Sequence, residues 1–497
     1  MTEKKKIRVR FAPSPTGYFH IGSAQAALFN YRFARKQGGS FVLRIEDTDL
    51  ERSKEEYEAK IFEALQWLGL GYDEGPNIEE AQFGPYRQSE RIGIYQEYIQ
   101  KLLDENRAYY CFASKEELEE MRQAAMTQGL PPIYNGLYRN LPQEEALARV
   151  EKGDPYVIRF KVGPGKVRFK DLIRGEIEVD TNTIGDFVIA KKNLAPLFLL
   201  SNAIDDSLME ISHVIRGEDH ISNTPKQILL QEAFGFKKPH YAHFPLILNP
   251  DRSKMSKRFG AVTVEEYRDM GYLPEAMFNF LCLLGWHPQD NREIMTQEEL
   301  IEEFDLERVQ KGGAIFEKEK LNWMNNHYIR QRPAQELLSI IKELYLDKEL
   351  DLLKMRSVKE LSEKQWLKIV ELSKERMNML SEFLDMNRFF LGAEEYEAEK
   401  LVWKKSDLNT TRDNLSFIQG KIEALDENTF ESAQKLEEAL MPFAEERGRG
   451  EVLWPLRVAL SGKDASPGPF DIMAVLGKHE SLLRIDTALT KLQEHVS

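Results

Sequence analysis

An α/β protein whose parallel sheet is split by an α/β insertion, followed by an all-α C-terminal domain, is the fold class this sequence predicts. Three observations carry it: a strand, turn, helix and strand within the first 50 residues, the return of parallel-strand patterns near Ile211, and helical patterning alone beyond Pro333. At the start, Ile7, Val9 and Phe11 alternate with basic residues as a strand, and Ala12-Pro13-Ser14-Pro15-Thr16-Gly17 breaks the pattern. Ala24, Ala27, Leu28 and Tyr31 then share one helical face, and Gly38-Gly39 ends the helix. The second strand, 41–45, leads into the acidic turn Glu46-Asp47-Thr48-Asp49, so the unit is a βαβ crossover with a parallel pair.

Two further amphipathic helices are marked by Ile61, Leu65 and Leu68, then by Ile92, Tyr95, Ile99 and Leu102. From about Ala108 to Leu194 the texture changes to a charged helix, a Gly/Pro-rich loop and short strands at 156–162, 167–180 and 186–190, as expected of an α/β insertion. The sheet resumes at 211–215, Thr224-Pro225 predicts an N-cap with proline at the first helical position, and 244–248 is a further strand before the polar loop 249–260.

The 497 residues, 42% of them hydrophobic, suffice for about three domains at roughly 100–200 residues each. Charged residues make up 30%, mean hydropathy is -0.49, and no apolar run approaches the ~18 residues of a membrane span. Met1 to Arg10 is basic but lacks the apolar stretch and cleavage site of a signal peptide, so a cytoplasmic location and no membrane contact are expected. Lys and Arg total 68 against 82 Asp and Glu; with a net charge of -14 there is no global attraction for polyanions, and nucleic-acid contacts would be local. Cys111 and Cys282 form neither a CxxC framework nor a disulfide scaffold and read as packing thiols.

Two segments carry chemistry. His20-Ile21-Gly22-Ser23 stands where the first strand turns into its helix, the usual ligand crevice of an open parallel sheet. Gly22 lets a flat base or phosphate approach the backbone, and the helix N-terminus offers N–H donors and positive potential, which suits ATP. Lys254-Met255-Ser256-Lys257-Arg258 follows the later strand, where its ammonium groups would meet charge growing on a polyphosphate.

Separated by an insertion, each at the end of a parallel-strand pattern, these segments resemble the split nucleotide fold of class I aminoacyl-tRNA synthetases. Arg10 to Gly17, then HIGS, then Leu43-Arg44-Ile45-Glu46-Asp47-Thr48-Asp49 closely resemble the bacterial glutamyl-tRNA synthetase family. Gly84 to Arg91, Val214 to Asp219, KMSKR and Leu321-Asn322-Trp323-Met324-Asn325 occur in that family's order, strongest to about Arg330 and looser beyond. The resemblance implies a Rossmann-type catalytic domain in two halves, 1–107 and 195–253, around an acceptor-end insertion at 108–194. A KMSKR loop and stem-contact region at 254–332 and a helical anticodon-binding domain at 333–497 complete it.

It further implies ligation of L-glutamate to glutamate tRNA through a glutamyl-adenylate, with ATP and Mg2+. His20, Lys254 and Lys257 would be catalytic, and Gly22, Ser23 and Ser256 would join them in holding ATP. Arg10 and Arg216 would hold the second carboxylate of the substrate, since a guanidinium fork binds carboxylate in bidentate fashion. Glu46 and Ser14 match positions around its amino group, and Ala12, Phe198 and Asn202 complete the pocket. In the helical domain Lys364, Trp366, Lys368, Lys374 and Arg376 form a basic and aromatic stretch, and Trp454-Pro455-Leu456-Arg457 a second; Lys374, Arg376 and Arg457 are the expected tRNA contacts.

Two departures from the family pattern stand out. Phe198 falls where the family usually has a substrate-binding tyrosine, so a hydroxyl is lost. Cys111-Phe112-Ala113 keeps one sulfur of the Cys-x-Cys pair that holds zinc in some members; structural zinc needs about four ligands, and none is expected here. A monomer is expected. Charging of glutamine tRNA as well, or a catalytically idle tRNA-binding protein, are the competing readings; intact His20 and KMSKR argue against the second.

Overall fold

The computed structural model describes residues 6–79, 82–129, 131–255, 262–346 and 361–495; Ser256, Lys257 and Arg258 lie outside them. The chain divides into two compact units, residues 1–268 with 274–321 and residues 269–273 with 322–497, the division falling within helix Lys318–Gln331.

In the first unit β1 (Arg8–Phe11), α1 (Ile21–Lys36) and β2 (Ser40–Leu43) form the expected crossover, with Arg8 opposite Ser40 and Phe11 opposite Leu43 in a parallel pair. Both strands are wholly buried, and Ala24, Ala27, Leu28 and Tyr31 of α1 pack inward. Next come α2 (Glu55–Trp67), α3 (Ile92–Asp104), β3 (Ala108–Cys111), α4 (Lys115–Thr127), α5 (Gln143–Glu151), β4 (Val157–Phe160), β5 (Lys166–Asp171), β6 (Gly175–Asp180), β7 (Phe187–Lys191) and β8 (Ala195–Pro196). Strands β3, β4, β7 and β8 make an antiparallel sheet of their own.

The second half of the parallel sheet holds α6 (Phe198–Leu208), β9 (His213–Gly217), α7 (Thr224–Phe234) and β10 (His240–Phe244). β9 and β10 pair in parallel, and Ser212 N donates to Arg8 O at 2.9 Å, which brings β9 beside β1. Hairpin β5–β6, expected within the insertion, joins this second half: Tyr241 of β10 sits opposite Asp171 of β5. The hairpin turns where Asp171 Oδ1 accepts from the N–H groups of Ile173 and Arg174, at 2.9 and 2.8 Å, and Gly175 takes φ +88°.

Two local expectations change. The strand expected at 244–248 is interrupted at Pro245, whose missing N–H ends β10; β11 (Ile247–Leu248) then pairs with β12 (Ala314–Ile315). Thr224 does not cap α7. A 3-10 segment, Glu218–Asn223, leads directly into the helix, Asn223 takes the cap position, and the Thr224 hydroxyl is released for other use.

The described residues of the second unit after Pro333 contain helices and no strand, among them Glu363–Lys374, Arg449–Ser461 and Pro469–Glu494. Segment 269–273 belongs to this unit through Leu273 N, which donates to Asn325 Oδ1 at 2.8 Å, and Gly271 O, which accepts from Leu380 N at 3.2 Å. Gly271 has φ +82°, and a Cβ there would stand 2.6 Å from Leu380 N, so a side chain is excluded. Among the described residues no helix is long and apolar enough to cross a membrane.

Candidate active site

A cavity of about 590 Å³ opens at the carboxyl ends of β1, β9 and β10. Arg10, Ala12, Ser14, Glu46, Phe198, Asn202 and Arg216 line it, and so do His20, Gly22, Ser23 and Lys254, which come from segments 234 residues apart. Backbone bonds fasten the two segments together: Ile21 N donates to Val262 O at 2.9 Å and Val264 N to Phe19 O at 3.0 Å, just past the undescribed part of the basic loop. Ser256 and Lys257, expected to bind ATP, lie outside the described residues.

His20 is the N-cap of α1. Its Nδ1 accepts from Gly22 N at 3.1 Å, so the neutral ring carries its proton on Nε2. Burial and the Lys254 ammonium push its pKa down, against a weaker pull from Glu266, and the ring is neutral near pH 7. The first turn of α1 does not offer free donors as expected. Ile21 N is taken by Val262 O, Gly22 N by the His20 ring, and Ser23 N and Ala24 N by His20 O. Cap and neighbouring strand satisfy these groups, so this helix end contributes potential more than N–H donors. A Cβ on Gly22 would meet nothing closer than His20 Nδ1 at 3.5 Å, so it would occupy cavity space and leave protein packing undisturbed.

Beneath the cavity lies a charged cluster. Arg10 donates to both oxygens of Asp206, at 3.0 and 3.3 Å, and Arg44 donates to Asp206 at 2.8 Å and to Glu46 at 2.9 Å. Burial would raise the Asp206 pKa, but the two guanidiniums outweigh it and hold the carboxylate below its usual range. For Glu46 burial wins over Arg44 and Arg10, and its pKa is raised. Asp205, one residue before Asp206 on α6, faces another way, accepting from Gln88, Arg91 and Tyr95 at 2.7–2.8 Å.

Arg216 differs from Arg10. Its Nε donates to His243 Nε2 at 3.1 Å, its Nη2 to Thr224 Oγ1 and Gln227 Oε1 at 2.7 Å each, and its Nη1 is buried with no hydrogen-bond partner among the described residues. It has no carboxylate partner there, and burial together with repulsion from Arg10 lowers its pKa to about 10. The two arginines expected to act alike therefore do not: Arg10 is already neutralised and Arg216 is not. Gln227 Nε2 continues to Asn202 Oδ1 at 2.8 Å, and Asn202 Nδ2 to Glu46 at 2.7 Å, which links both ends of the pocket.

Sequence reasoning missed Arg44, Asp206, Gln227, His220 and His243. Adjacent aspartates inside the apolar stretch FLLSNAIDDSL were the available signal, because buried carboxylates demand cations. His220 lines the cavity with its ring centroid 5.6 Å from that of Phe198, and burial and Arg216 lower its pKa to about 4.

In the second unit, Lys374 closes helix Glu363–Lys374 beside Glu371, at 3.4 Å, Arg376 is exposed just beyond, and Arg457 stacks over Trp454 at 4.6 Å. Trp366 is buried against Phe383, and the Lys368 ammonium is held by the carbonyls of Glu431 and Ala474 at 2.9 and 2.8 Å, so neither presents itself to a base. The Cys111 sulfur stands 3.3 Å from both the Tyr134 hydroxyl and Arg159 Nε. Among the described residues one trio of possible metal ligands lies close together, the exposed Glu397, Glu399 and His495 in the other unit.

Residues 6–323 match the family of class I tRNA synthetases (E and Q), catalytic domain, and residues 336–489 match an anticodon binding domain. A glutamate–tRNA ligase of Caldanaerobacter subterraneus subsp. tengcongensis is 42% identical, over 98% of this chain and 100% of the relative. That of Carboxydothermus hydrogenoformans is 44% identical over 96% and 99%. The crystal structure of a glutamate tRNA ligase from Elizabethkingia meningosepticum in complex with its amino acid superposes with a TM-score of 0.86 at 37% identity, covering 98% of this chain and 100% of that one. With an HIGS turn and a KMSKR lysine on one cavity above a guanidinium-rich floor, and with kinship running the full length, the chain belongs to the class I tRNA synthetases of the glutamate and glutamine group, and within it to the bacterial-type glutamyl-tRNA synthetases.

Proposed function

We propose that this chain ligates L-glutamate to the 3′ end of glutamate tRNA, acting as a cytoplasmic monomer with ATP, carried as its Mg2+ complex, as second substrate. The α-carboxylate of glutamate attacks the α-phosphorus of ATP, and the bond from that phosphorus to the α,β-bridging oxygen breaks to release pyrophosphate and leave glutamyl-adenylate. A ribose hydroxyl on the terminal adenosine of the tRNA then takes the acyl group and AMP departs. No nucleophilic side chain is required; the protein aligns the reactants and stabilises moving charge.

The observation that carries the substrate assignment is Arg216, a buried cation on the cavity wall without an anionic partner among the described residues. An amino acid with a second carboxylate supplies the missing charge. Its ammonium goes to Glu46, whose raised pKa falls back as that cation arrives. Neutral His20 donates from Nε2 to phosphate oxygens, and the ammonium groups of Lys254 and Lys257 meet the growing negative charge. In the helical part, 333–497, Lys374, Arg376 and Arg457 serve the tRNA.

Charging purified glutamate and glutamine tRNAs with labelled glutamate tests the reading. Glutamate tRNA is charged by the wild type, and Arg216→Gln raises the KM for glutamate about 10- to 150-fold, the worth of one charged hydrogen bond, while the KM for ATP stays put. An unchanged KM for glutamate refutes the assignment of Arg216. Acceptance by glutamine tRNA would broaden the substrate range and leave the chemistry as it is.

A further inference from the structure

The cradle that holds Arg216 is built wholly of neutral groups. A guanidinium keeps all its protons, so His243 Nε2, which receives Arg216 Nε at 3.1 Å, must present a lone pair. The imidazole proton therefore sits on Nδ1, which donates to Asp171 Oδ2 at 2.6 Å. Asp171 is anchored in turn by the N–H groups of Ile173 and Arg174 in the β5–β6 turn. The carboxylate that orders this corner thus stands one imidazole ring away from the guanidinium, fixing the ring without cancelling the charge. Thr224 and Gln227 come from α7, the first as its opening residue with its hydroxyl released from capping, the second one turn later on the same face. Both are buried.

We propose that His243, Thr224 and Gln227, with Asp171 behind His243, are positioning residues that set the preference for an acid over its amide: they fix Arg216 while withholding a counter-charge, which the ligand's side-chain carboxylate then provides. This inference rests on the reading of Arg216 given under Proposed function. A glutamine side chain in the same place leaves a buried cation unneutralised, and that cost is the discrimination. Arg10 shows the opposite arrangement, its charge already met by Asp206, so it is poorly suited to tell acid from amide.

The test moves a carboxylate into the cradle. Gln227→Glu and, separately, Thr224→Asp are compared with wild type for the ratio of kcat/KM with glutamate to that with glutamine, in ATP–pyrophosphate exchange with tRNA present. Each is expected to lower the ratio at least tenfold, through a higher KM for glutamate and a lower one for glutamine, with the KM for ATP unmoved. Thr224→Ser, which keeps the hydroxyl, restores the wild-type ratio. Thr224→Asp adds negative charge at a helix N-terminus, where it is favoured, so it remains a folded test if Gln227→Glu is not. A ratio within twofold of wild type in Thr224→Asp overturns the proposal, whatever its effect on overall rate. A wild-type enzyme that does not activate glutamate overturns the underlying reading instead.

Discussion

Asp206→Asn is the sharpest probe of the cluster under the cavity. Wild-type Asp206 receives three guanidinium hydrogen bonds, two from Arg10 at 3.0 and 3.3 Å and one from Arg44 at 2.8 Å, and the side chains in both pairs are at most 5% exposed. Asparagine keeps the shape and one acceptor, so the charge disappears together with one of the two acceptors that the guanidiniums use. Arg44 retains Glu46 at 2.9 Å and Asp205 at 3.8 Å, whereas no other carboxylate pairs with Arg10 among the described residues, and it bears most of the loss. Breaking a buried pair from one side costs about 3–5 kcal/mol, a large part of the roughly 5–15 kcal/mol that holds a domain together. Urea denaturation followed by hydrogen exchange of peptides from β1 and α6 reads the first unit alone, and should show a loss of this size at pH 7. The sign with pH follows from the depressed pKa of Asp206: the wild-type advantage is complete above the ordinary value of 3.8 and fades as pH falls through its lower folded value. A loss below about 1 kcal/mol at pH 7 would mean that the cluster is solvated in solution and that Arg10 is held by something else.

Phe198→Tyr restores the family hydroxyl on the cavity wall and should leave the KM for glutamate unchanged or lower it; a large loss of activity would show that Phe198 is not the aligned position. Lys254→Ala and Lys257→Ala should each lower aminoacylation turnover at least 100-fold while Tm moves by less than about 2 °C, because the exposed Lys254 side chain adds little to packing and its carbonyl keeps the Asn249 contact. Near-normal turnover in either variant removes that lysine from the mechanism. His213, by burial and then His240, and His220, by burial and then Arg216, have pKa values lowered to about 4. Between that value and the usual 6.5 the unfolded chain binds protons that the folded one refuses, so the unfolding free energy read from urea denaturation should fall from pH 7 to pH 5, by about 1–2 kcal/mol per group after solvent screening, and His213→Phe should flatten the slope. Arg216→Met, which removes a buried cation lacking a carboxylate, should raise stability by about 1 kcal/mol while abolishing selection of glutamate; a destabilised but selective variant contradicts the charge argument.

Short-range pattern was enough to find the two segments, at His20 and at Lys254, that line one cavity. The turn at His20 follows a run in which apolar and basic residues alternate, although the folded strand is buried on both faces, and the basic loop follows another strand, so each could be placed at a strand end by local signals alone. What escaped was pairing at a distance. Arg44 and Asp206 are 162 positions apart, and no window contains both. Hairpin β5–β6 alternates buried and exposed residues along β5 as an insertion strand would, yet it closes on β10, because edge pairing is decided by which neighbour the chain returns to. Trp366 shows an error of a different kind. Trp366, Ile369, Val370 and Ser373 form a helical stripe in the sequence, and the structure buries that stripe; the lysines interleaved with it mask the period.

A buried, unneutralised arginine is expensive, and its cost explains why the surrounding side chains are what they are. If Thr224 or Gln227 were acidic, the fold would gain a favourable pair and the pocket would lose its reason to prefer an acid. If His243 were apolar, Arg216 Nε would be left without an acceptor and the fork would turn. Neutral histidine accepts from the guanidinium at Nε2 while donating to Asp171 from Nδ1, and the depressed pKa that burial and Arg216 impose keeps it neutral while it does so. Under the proposed role of Arg216, the energy withheld from folding at this corner would be recovered when a carboxylate enters, and specificity would rest on a charge balance that only the acid completes.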